Sequence, residues 1–257
     1  MLRSAVLAMA LLVPAFAASQ ASAQGSPPLV AAASDLKFAL SEIASRFEKD
    51  TGRRVALNFG SSGNFARQIQ QGAPFELFMS ADEEFVFRLA DAGFTRGRGD
   101  LYAMGRIVLY VPKGSPIGLD PGLAGVRAGW ERVRRFAIAN PEHAPYGRAA
   151  REALQSLGMW DLVRPKLVLG ENIAQTAQFV ATGNAEAGIV ALSLALAPEL
   201  AGDGQYVELP ESLHRPLRQR MVLTARAGDT AATFYRYLQQ PAARAVLKKY
   251  GFGLPGA

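Results

Sequence analysis

The chain has 257 residues, of which 49% are hydrophobic and 19% are charged, and it contains no cysteine. This length and composition are typical of one large globular domain or two modest ones, and the lack of cysteine excludes disulfides and cysteine-ligated zinc. The formal charge of +6 would help to attract an anion, but no basic tract interleaved with aromatic residues indicates a nucleic-acid partner. His143 and His214 are too few for a histidine-rich metal site, and a surface or loop role is favoured for both.

Residues 1–23 are predicted to be a secretory signal peptide. A basic start at Arg3 precedes an apolar run over 5–18, and the small residues at 21–23 form a cleavage site. A membrane anchor is disfavoured because the run is too short to span a bilayer. No other stretch approaches about 18 apolar residues, so we expect an exported protein that begins at Gln24 and does not insert into the membrane.

After Pro27 and Pro28, the pattern alternates between strands and helices. Strands are predicted over 29–33, 55–59, 76–79, 106–111, 136–139, 167–169, 187–191 and 221–225. Helices are predicted over 36–51, from about 64 to 72, and over 85–92, 147–157, 174–181, 192–196 and 230–250, the last interrupted by Pro241. Residues 115–135 are irregular. This alternation is typical of βαβ units and parallel sheets, which places the chain in the α/β class.

The break in the pattern near residue 112 predicts two α/β lobes. We expect the first lobe over 27–108 plus 219–257 and the second over 109–218. The chain would then cross between the lobes twice, forming a two-strand hinge. A cleft between two lobes is a natural ligand site.

Five short turns of small, polar or glycine residues stand where a predicted strand feeds a helix. They are Ala33-Ser34-Asp35, Gly60-Ser61-Ser62-Gly63, Ser80-Ala81-Asp82, Ala144-Pro145-Tyr146-Gly147 and Glu171-Asn172-Ile173. Helix N-termini present unpaired N–H groups and partial positive charge. Several of them converging would bind a small anion with no metal and no cofactor. The alternative for Ser34 and Ser62 is that they are ordinary helix N-caps.

Four long segments and the end of the chain resemble the periplasmic molybdate-binding proteins of ABC transporters. The segments read AAASDLKFALSEIA, FGSSGNFARQIQQGAPFELFMSAD, ANPEHAPYGRAAREALQSLGMW and AQFVATGNAEAGIVAL, and the chain closes with KKYGF. The resemblance implies a type II-like, two-lobed periplasmic binding protein that holds molybdate, and also tungstate, between its lobes. It further implies that the partner is an ABC permease, that the protein is a periplasmic monomer and that it is not an enzyme.

The resemblance also assigns the oxyanion ligands. Ser34 and Ser62 would each give a hydroxyl and an N–H, while Ala81 and Ile173 would give backbone N–H groups. The family commonly places a tyrosine hydroxyl in the pocket after Gly-Ile-Val, where this chain has Ala191. A subset of the family uses a tyrosine at the position of Tyr146, so the phenol donor is assigned there.

The side chain of Asp35 is electrostatically unfavourable beside this site, because a carboxylate repels a dianion. We expect its side chain to point away and cap the first helix, so that only its N–H reaches the anion. For Tyr146, the alternative is a core residue whose hydroxyl is satisfied by the backbone.

Three other functions stay open. The first is another tetrahedral oxyanion such as sulfate, since these anions differ in size and not in hydrogen-bonding character; phosphate is disfavoured because its proton would need a buried acceptor. The second is an exported serine hydrolase using Ser61 or Ser62, although no Gly-x-Ser-x-Gly elbow occurs and no catalytic residue is predicted. The third is a sensor whose cleft serves signalling.

Overall fold

The computed structural model describes residues 26–256, so the predicted signal peptide lies outside the described residues. The strands within this range are β1 (Leu29–Ala33), β2 (Ala56–Gly60), β3 (Phe75–Ser80), β4 (Asp100–Gly105), β5 (Ile107–Pro112), β6 (Phe136–Ala139), β7 (Leu167–Gly170), β8 (Ala187–Ala191), β9 (Gly204–Glu208) and β10 (Leu217–Leu223). The helices are α1 (Lys37–Thr51), α2 (Ser62–Gln70), α3 (Glu83–Asp91), α4 (Ala124–Ala128), α5 (Pro145–Ser156), α6 (Trp160–Val163), α7 (Ile173–Ala181), α8 (Leu192–Ala195), α9 (Pro198–Ala201), α10 (Asp229–Leu238) and α11 (Pro241–Lys249). No described helix is long and apolar enough to cross a membrane.

The strands form two five-stranded mixed sheets with the same plan. The first sheet has the order β2-β1-β3-β10-β4, and the second has the order β7-β6-β8-β5-β9. In the first sheet β1 pairs in parallel with β2 and β3, and β10 is antiparallel to β3 and β4. In the second, β6 pairs in parallel with β7 and β8, and β5 is antiparallel to β8 and β9. The predicted α/β architecture with two lobes is confirmed.

The chain passes from one sheet to the other at two places. Only Arg106 separates β4 in the first sheet from β5 in the second, and the return runs from the end of β9 to the start of β10. We call each sheet with its packed helices a lobe. The lobe limits expected at 108/109 and 218/219 fall inside β5 and β10, and they stay a prediction.

Burial explains the helices that pack on the sheets. On α1 the buried residues are Ala39, Leu40, Ile43 and Phe47, whose spacing of three or four residues presents one apolar face to the first sheet. The helix ends at Gly52, whose φ of +70° is the left-handed conformation that favours glycine. One apolar core fills the second lobe, and two further cores lie in the first lobe.

Several features differ from the sequence-based prediction. The edge strands β4 and β9 and the short helices α6 and α9 were not predicted, and β10 begins at Leu217 rather than at 221. Polar residues interrupt β9, which is largely exposed. The segment 115–135 contains α4 and a short 3-10 turn. The single C-terminal helix is in fact two, because Pro241 lacks the N–H that would continue a helix and instead occupies the first turn of α11.

Candidate functional site

A small cavity lies where the five predicted strand–helix turns meet between the lobes. Its lining consists of Ala33, Ser34, Asp35, Gly60, Ser61, Ser62, Ala81, Ala144, Pro145, Tyr146 and Ile173. The volume available inside it is about 10 Å³, far below the roughly 300–1,000 Å³ of sites for drug-sized ligands. All six residues predicted to contact the oxyanion line this cavity. Their role as ligands stays a prediction.

The hydroxyls of Ser34 and Ser62 are both held by backbone N–H groups. Ser34 Oγ accepts from the Ala174 N–H at 3.2 Å, and Ser62 Oγ accepts from the Ala81 N–H at 3.0 Å. A hydroxyl that accepts one hydrogen bond still has its own hydrogen to donate, and neither serine donates to another described residue. The contact of Ser34 with Ala174 also joins the first lobe to the second.

The N-cap alternative for these serines does not fit the geometry. The N-cap of α2 is Ser61, and Ser62 is the first residue of the helix. Ser34 begins a short 3-10 turn whose N-cap is Ala33, without a side-chain capping bond. Both serines are nearly inaccessible to solvent, at 2% and 0% exposure. Neither caps the helix or turn that it begins, although Ser34 Oγ accepts from the Ala174 N–H in the first turn of α7.

The two predicted backbone donors differ in their surroundings. Ile173 is the first residue of α7, so its N–H has no partner within the helix. Asn172 caps this helix by accepting from the N–H groups of Ala174 and Gln175, each at 3.1 Å. The Ala81 N–H instead points to Ser62 Oγ, and a ligand would have to share it with that serine.

The phenol of Tyr146 is part of a buried side-chain network across the lobes. Its hydroxyl donates to Asp35 Oδ2 at 3.0 Å and accepts from Gln219 Nε2 at 3.0 Å. Gln219 Nε2 also donates to Asp35 Oδ2 at 2.6 Å, and Gln219 Oε1 accepts from the Tyr102 hydroxyl at 2.7 Å. Burial, and then the charge of Asp35, raise the pKa of Tyr146 well above its usual value, so the phenol keeps its proton.

Asp35 behaves differently from the expectation that its side chain caps the first helix. The 3-10 turn that begins at Ser34 has no side-chain capping bond, and the carboxylate instead accepts from Tyr146 and Gln219. The physical reason is burial, because a carboxylate that is 1% exposed needs donors and these two side chains supply them. The backbone alternative for the Tyr146 hydroxyl is also wrong, since both of its partners are side chains.

Charged and polar residues join the lobes around the cavity, in a ring that we call the rim. Arg148 of α5 donates to Asp82 Oδ2 at 2.9 Å, and both side chains are nearly buried. The His143 carbonyl accepts from the Gly63 N–H at 2.9 Å, and His143 Nδ1 lies 2.9 Å from Ser61 Oγ. Glu171 accepts from Asn64 Nδ2. The rim therefore connects the lobes in the closed arrangement of the structure.

Sequence reasoning missed His143, Arg148 and Gln219. His143 stands in the Asn-Pro-Glu-His segment, for which the sequence favours a surface or loop role. Gly63 ends the Gly60-Ser61-Ser62-Gly63 turn; a Cβ there would lie 2.8 Å from the His143 carbonyl oxygen, so this glycine permits close contact between the lobes. Only the three-dimensional arrangement identifies these contacts, because the partners lie far apart in sequence.

A larger groove lies beside the cavity. Its lining includes Ser34, Lys37, Phe38, Phe59 and Gln175, and its volume is about 440 Å³. It shares only Ser34 with the cavity. The five helix starts converge on the smaller cavity, so the smaller cavity is the better candidate for the ligand site.

Two α/β lobes, two chain crossings and a closed cavity between the lobes define a solute-binding protein. The comparisons agree with this class. The chain belongs to the family of bacterial extracellular solute-binding proteins, whose sequence pattern matches residues 28–253.

Individual relatives cover nearly the whole chain. The molybdate-binding protein ModA of Azotobacter vinelandii is 41% identical over 235 residues, which are 90% of this chain and 92% of the relative. The protein of the same name from Rhodobacter capsulatus is 37% identical over 227 residues, 87% of each chain. The solved structure of the Azotobacter vinelandii periplasmic molybdate-binding protein superposes with a TM-score of 0.82 at 30% identity, covering 89% of this chain and 99% of that one.

Proposed function

We propose that this protein captures molybdate, and also tungstate, in the periplasm and delivers it to an ABC permease in the inner membrane. The observation that carries the proposal is the cavity in which Ser34, Ser62 and Ile173 bring hydroxyl and N–H groups together from three strand–helix junctions. The names of the relatives support molybdate as the cargo. The protein itself would be a carrier with no catalytic residue.

Molybdate suits such a site because of its chemistry. At neutral pH it is a tetrahedral dianion without a proton, so its oxygens only accept hydrogen bonds. The hydroxyls of Ser34 and Ser62 and the N–H of Ile173 are donors, and the start of α7 adds a partial positive charge. A site without a cation or metal also favours release, which a carrier needs. Ala81, Tyr146 and the N–H of Asp35 complete the proposed set.

Binding would be coupled to closure of the lobes. Ser34 and Ser62 belong to the first lobe and Ile173 to the second, so the anion touches all three only when the lobes meet. A ligand that binds the closed form better shifts the population toward it. The permease would then recognise the closed, loaded monomer.

The experiment is thermal unfolding of the ligand-free protein with molybdate, tungstate, sulfate and phosphate in turn. A ligand at 100 times its dissociation constant adds about 2.7 kcal/mol to the free energy of unfolding, which raises Tm by roughly 5–10 °C for a chain of this size. We expect this shift with molybdate and tungstate and little shift with sulfate. Ser62→Ala is the matched variant and should reduce the shift.

Other outcomes of this experiment would contradict the proposal in whole or in part. An equal shift with sulfate would change the cargo and keep the site. No shift with any oxyanion would contradict oxyanion binding altogether. Hydrolysis of a chromogenic ester that is lost in Ser62→Ala would instead favour an exported serine hydrolase.

A further inference from the structure

Asp35 is the one residue with a carboxyl group among those that line the cavity. It is 1% exposed, and its Oδ2 already accepts two hydrogen bonds, from Tyr146 and Gln219. Its Oδ1 is buried and has no hydrogen-bond partner within residues 26–256. A buried carboxylate oxygen without a partner is costly, and a buried carboxylate close to a bound dianion is more costly still.

Within the described residues 26–256, no cation pairs with the carboxyl group of Asp35. The groups facing it are Tyr146 from α5, Gln219 from β10 and the hydroxyl of Ser193 from α8, which donates to the Asp35 carbonyl at 2.8 Å. The hydroxyl of Tyr102 in β4 in turn donates a hydrogen bond to Gln219. The nearby cations have other surroundings: Arg148 pairs with acidic side chains of the rim, and Lys37 is exposed in the larger groove.

We propose that binding of an oxyanion dianion is accompanied by uptake of one proton from solvent by Asp35, at Oδ1. The inference rests on the proposed oxyanion function. Protonation removes the negative charge next to the dianion and turns Oδ1 from an acceptor into a donor, as a ligand with only acceptor oxygens requires. One O–H bond forms at Asp35 and no bond of the anion breaks. Oδ2 keeps the hydrogen bond from Gln219, and the single hydrogen of the Tyr146 hydroxyl becomes available to the anion.

The surroundings of Asp35 favour this step. Burial raises the pKa of Asp35 from 3.8 to about 6, against the lowering effect of the hydrogen bonds from Gln219 and Tyr146 and of the nearby backbone N–H groups of Asp35 and Leu36. The carboxyl is therefore mostly charged at neutral pH but close to its titration range. A dianion inside the same closed cavity raises its pKa further, because it is a like charge in a region of low dielectric.

The same carboxyl gives the cavity a means of distinguishing anions by their protons. A dianion without a proton, such as molybdate, requires that Asp35 take one from solvent. A hydrogen phosphate ion brings its own proton and can donate it to the Asp35 carboxylate, so its binding needs no uptake. Asp35 is therefore the buried acceptor that phosphate requires, and we infer that the proton count depends on the anion.

The test is isothermal titration calorimetry with molybdate in buffers of different ionisation enthalpy, repeated between about pH 6.5 and 8.5. We expect about one proton taken up per molybdate in the upper part of this range, and an affinity that falls about tenfold for each pH unit there. In Asp35→Asn the uptake should vanish and the affinity should become independent of pH. Asp82→Asn is the control: it removes a nearly buried carboxylate that is paired with Arg148, and the proton uptake should remain.

The outcomes separate this inference from the proposed function. Molybdate binding without proton uptake in the unsubstituted protein would overturn the inference and leave the function standing. The same holds if Asp35→Asn takes up as many protons as the unsubstituted protein. If no oxyanion gives heat or a shift in Tm, the proposed function itself fails.

Discussion

The cavity and the rim join the same two lobes by different chemistry. In the cavity, contacts between the lobes are made by hydroxyl, amide and N–H groups around a single carboxylate, as in the Ser34–Ala174 and Tyr146–Asp35 hydrogen bonds. In the rim, the contacts include charged pairs such as Arg148–Asp82. The permanent charge of Arg148 is thus paired with acidic side chains, and the cavity is left with donors that match an anion without holding it irreversibly.

This difference assigns separate tasks to the two regions. Substitutions in the cavity should change which anion is bound and how its protons are managed. Substitutions in the rim should change how readily the lobes close, and they should affect all anions equally because closure is common to them.

The largest effect is expected on stability, from Asp35→Asn in the ligand-free protein. The pKa of Asp35 is raised to about 6 in the folded state, so its contribution to the free energy of unfolding is complete below about pH 4 and is lost as the pH rises through about 6. Well above pH 6, the charged carboxylate therefore lowers the free energy of unfolding by about 3 kcal/mol. The variant should therefore unfold several degrees higher than the unsubstituted protein at neutral pH, and the difference should shrink toward pH 4.

Thermal unfolding of Asp35→Asn and of the unsubstituted protein across this pH range tests whether the substitution raises Tm at neutral pH. Asp82→Asn again serves as control, since it loses the ion pair with Arg148 while its Oδ1 can still accept from the Glu84 N–H, and it should lower Tm. A drop in Tm for Asp35→Asn at neutral pH would contradict the account of an uncompensated carboxylate.

The next effect is on affinity, from Ser62→Ala. It removes a buried hydroxyl that we expect to donate to the anion, at a cost of about 1–3 kcal/mol in binding. Ser61→Ala is the matched control, because the neighbouring hydroxyl contacts His143 in the rim. We expect a much smaller loss there, and titration calorimetry with molybdate measures both. Equal losses of molybdate affinity in the two variants would contradict the distinction between the cavity and the rim.

A smaller effect is expected from Tyr146→Phe. The substitution removes one proposed donor and one hydrogen bond to Asp35, so molybdate affinity should fall about tenfold. Tyr102→Phe is the control, because it removes a hydroxyl that donates to Gln219 Oε1. This variant should lower Tm and leave the molybdate affinity nearly unchanged. Unchanged affinity in Tyr146→Phe would remove Tyr146 from the proposed ligands.

The smallest effect is expected from Glu171→Gln in the rim. The side chain of Glu171 is 57% exposed, and exposed ion pairs contribute about 0–1 kcal/mol. Gln can still accept from Asn64, so affinities for molybdate and tungstate should both change by less than about threefold. A tenfold loss, or a loss for one anion only, would show that this rim residue takes part in recognition.

The sequence predicted the fold and the cavity lining because both depend on local signals. The apolar periodicity of α1 and the alternation of strands and helices are visible in the chain, and strand–helix turns in α/β proteins collect at one end of their sheets. The roles of Asp35 and Gln219 were not predictable in this way. They arise from contacts over 184 residues of separation, and no local pattern marks a carboxylate that will be buried without a cation.

The edge strands were missed for a similar reason. A strand buried on both faces forms an apolar run, whereas β9 is at an edge and none of its five residues is buried. The limits of the lobes depend on where β5 and β10 pair, which is also set by distant partners.

The most direct test of the central claim is a crystal structure of the molybdate complex, with molybdenum located by its anomalous scattering. The account predicts one peak, in the small cavity between Ser34, Ser62 and Ile173, with the rim contacts formed around it. A peak in the larger groove beside Lys37, or density in which no serine hydroxyl reaches the anion, would contradict the claim that this cavity of neutral donors is the ligand site.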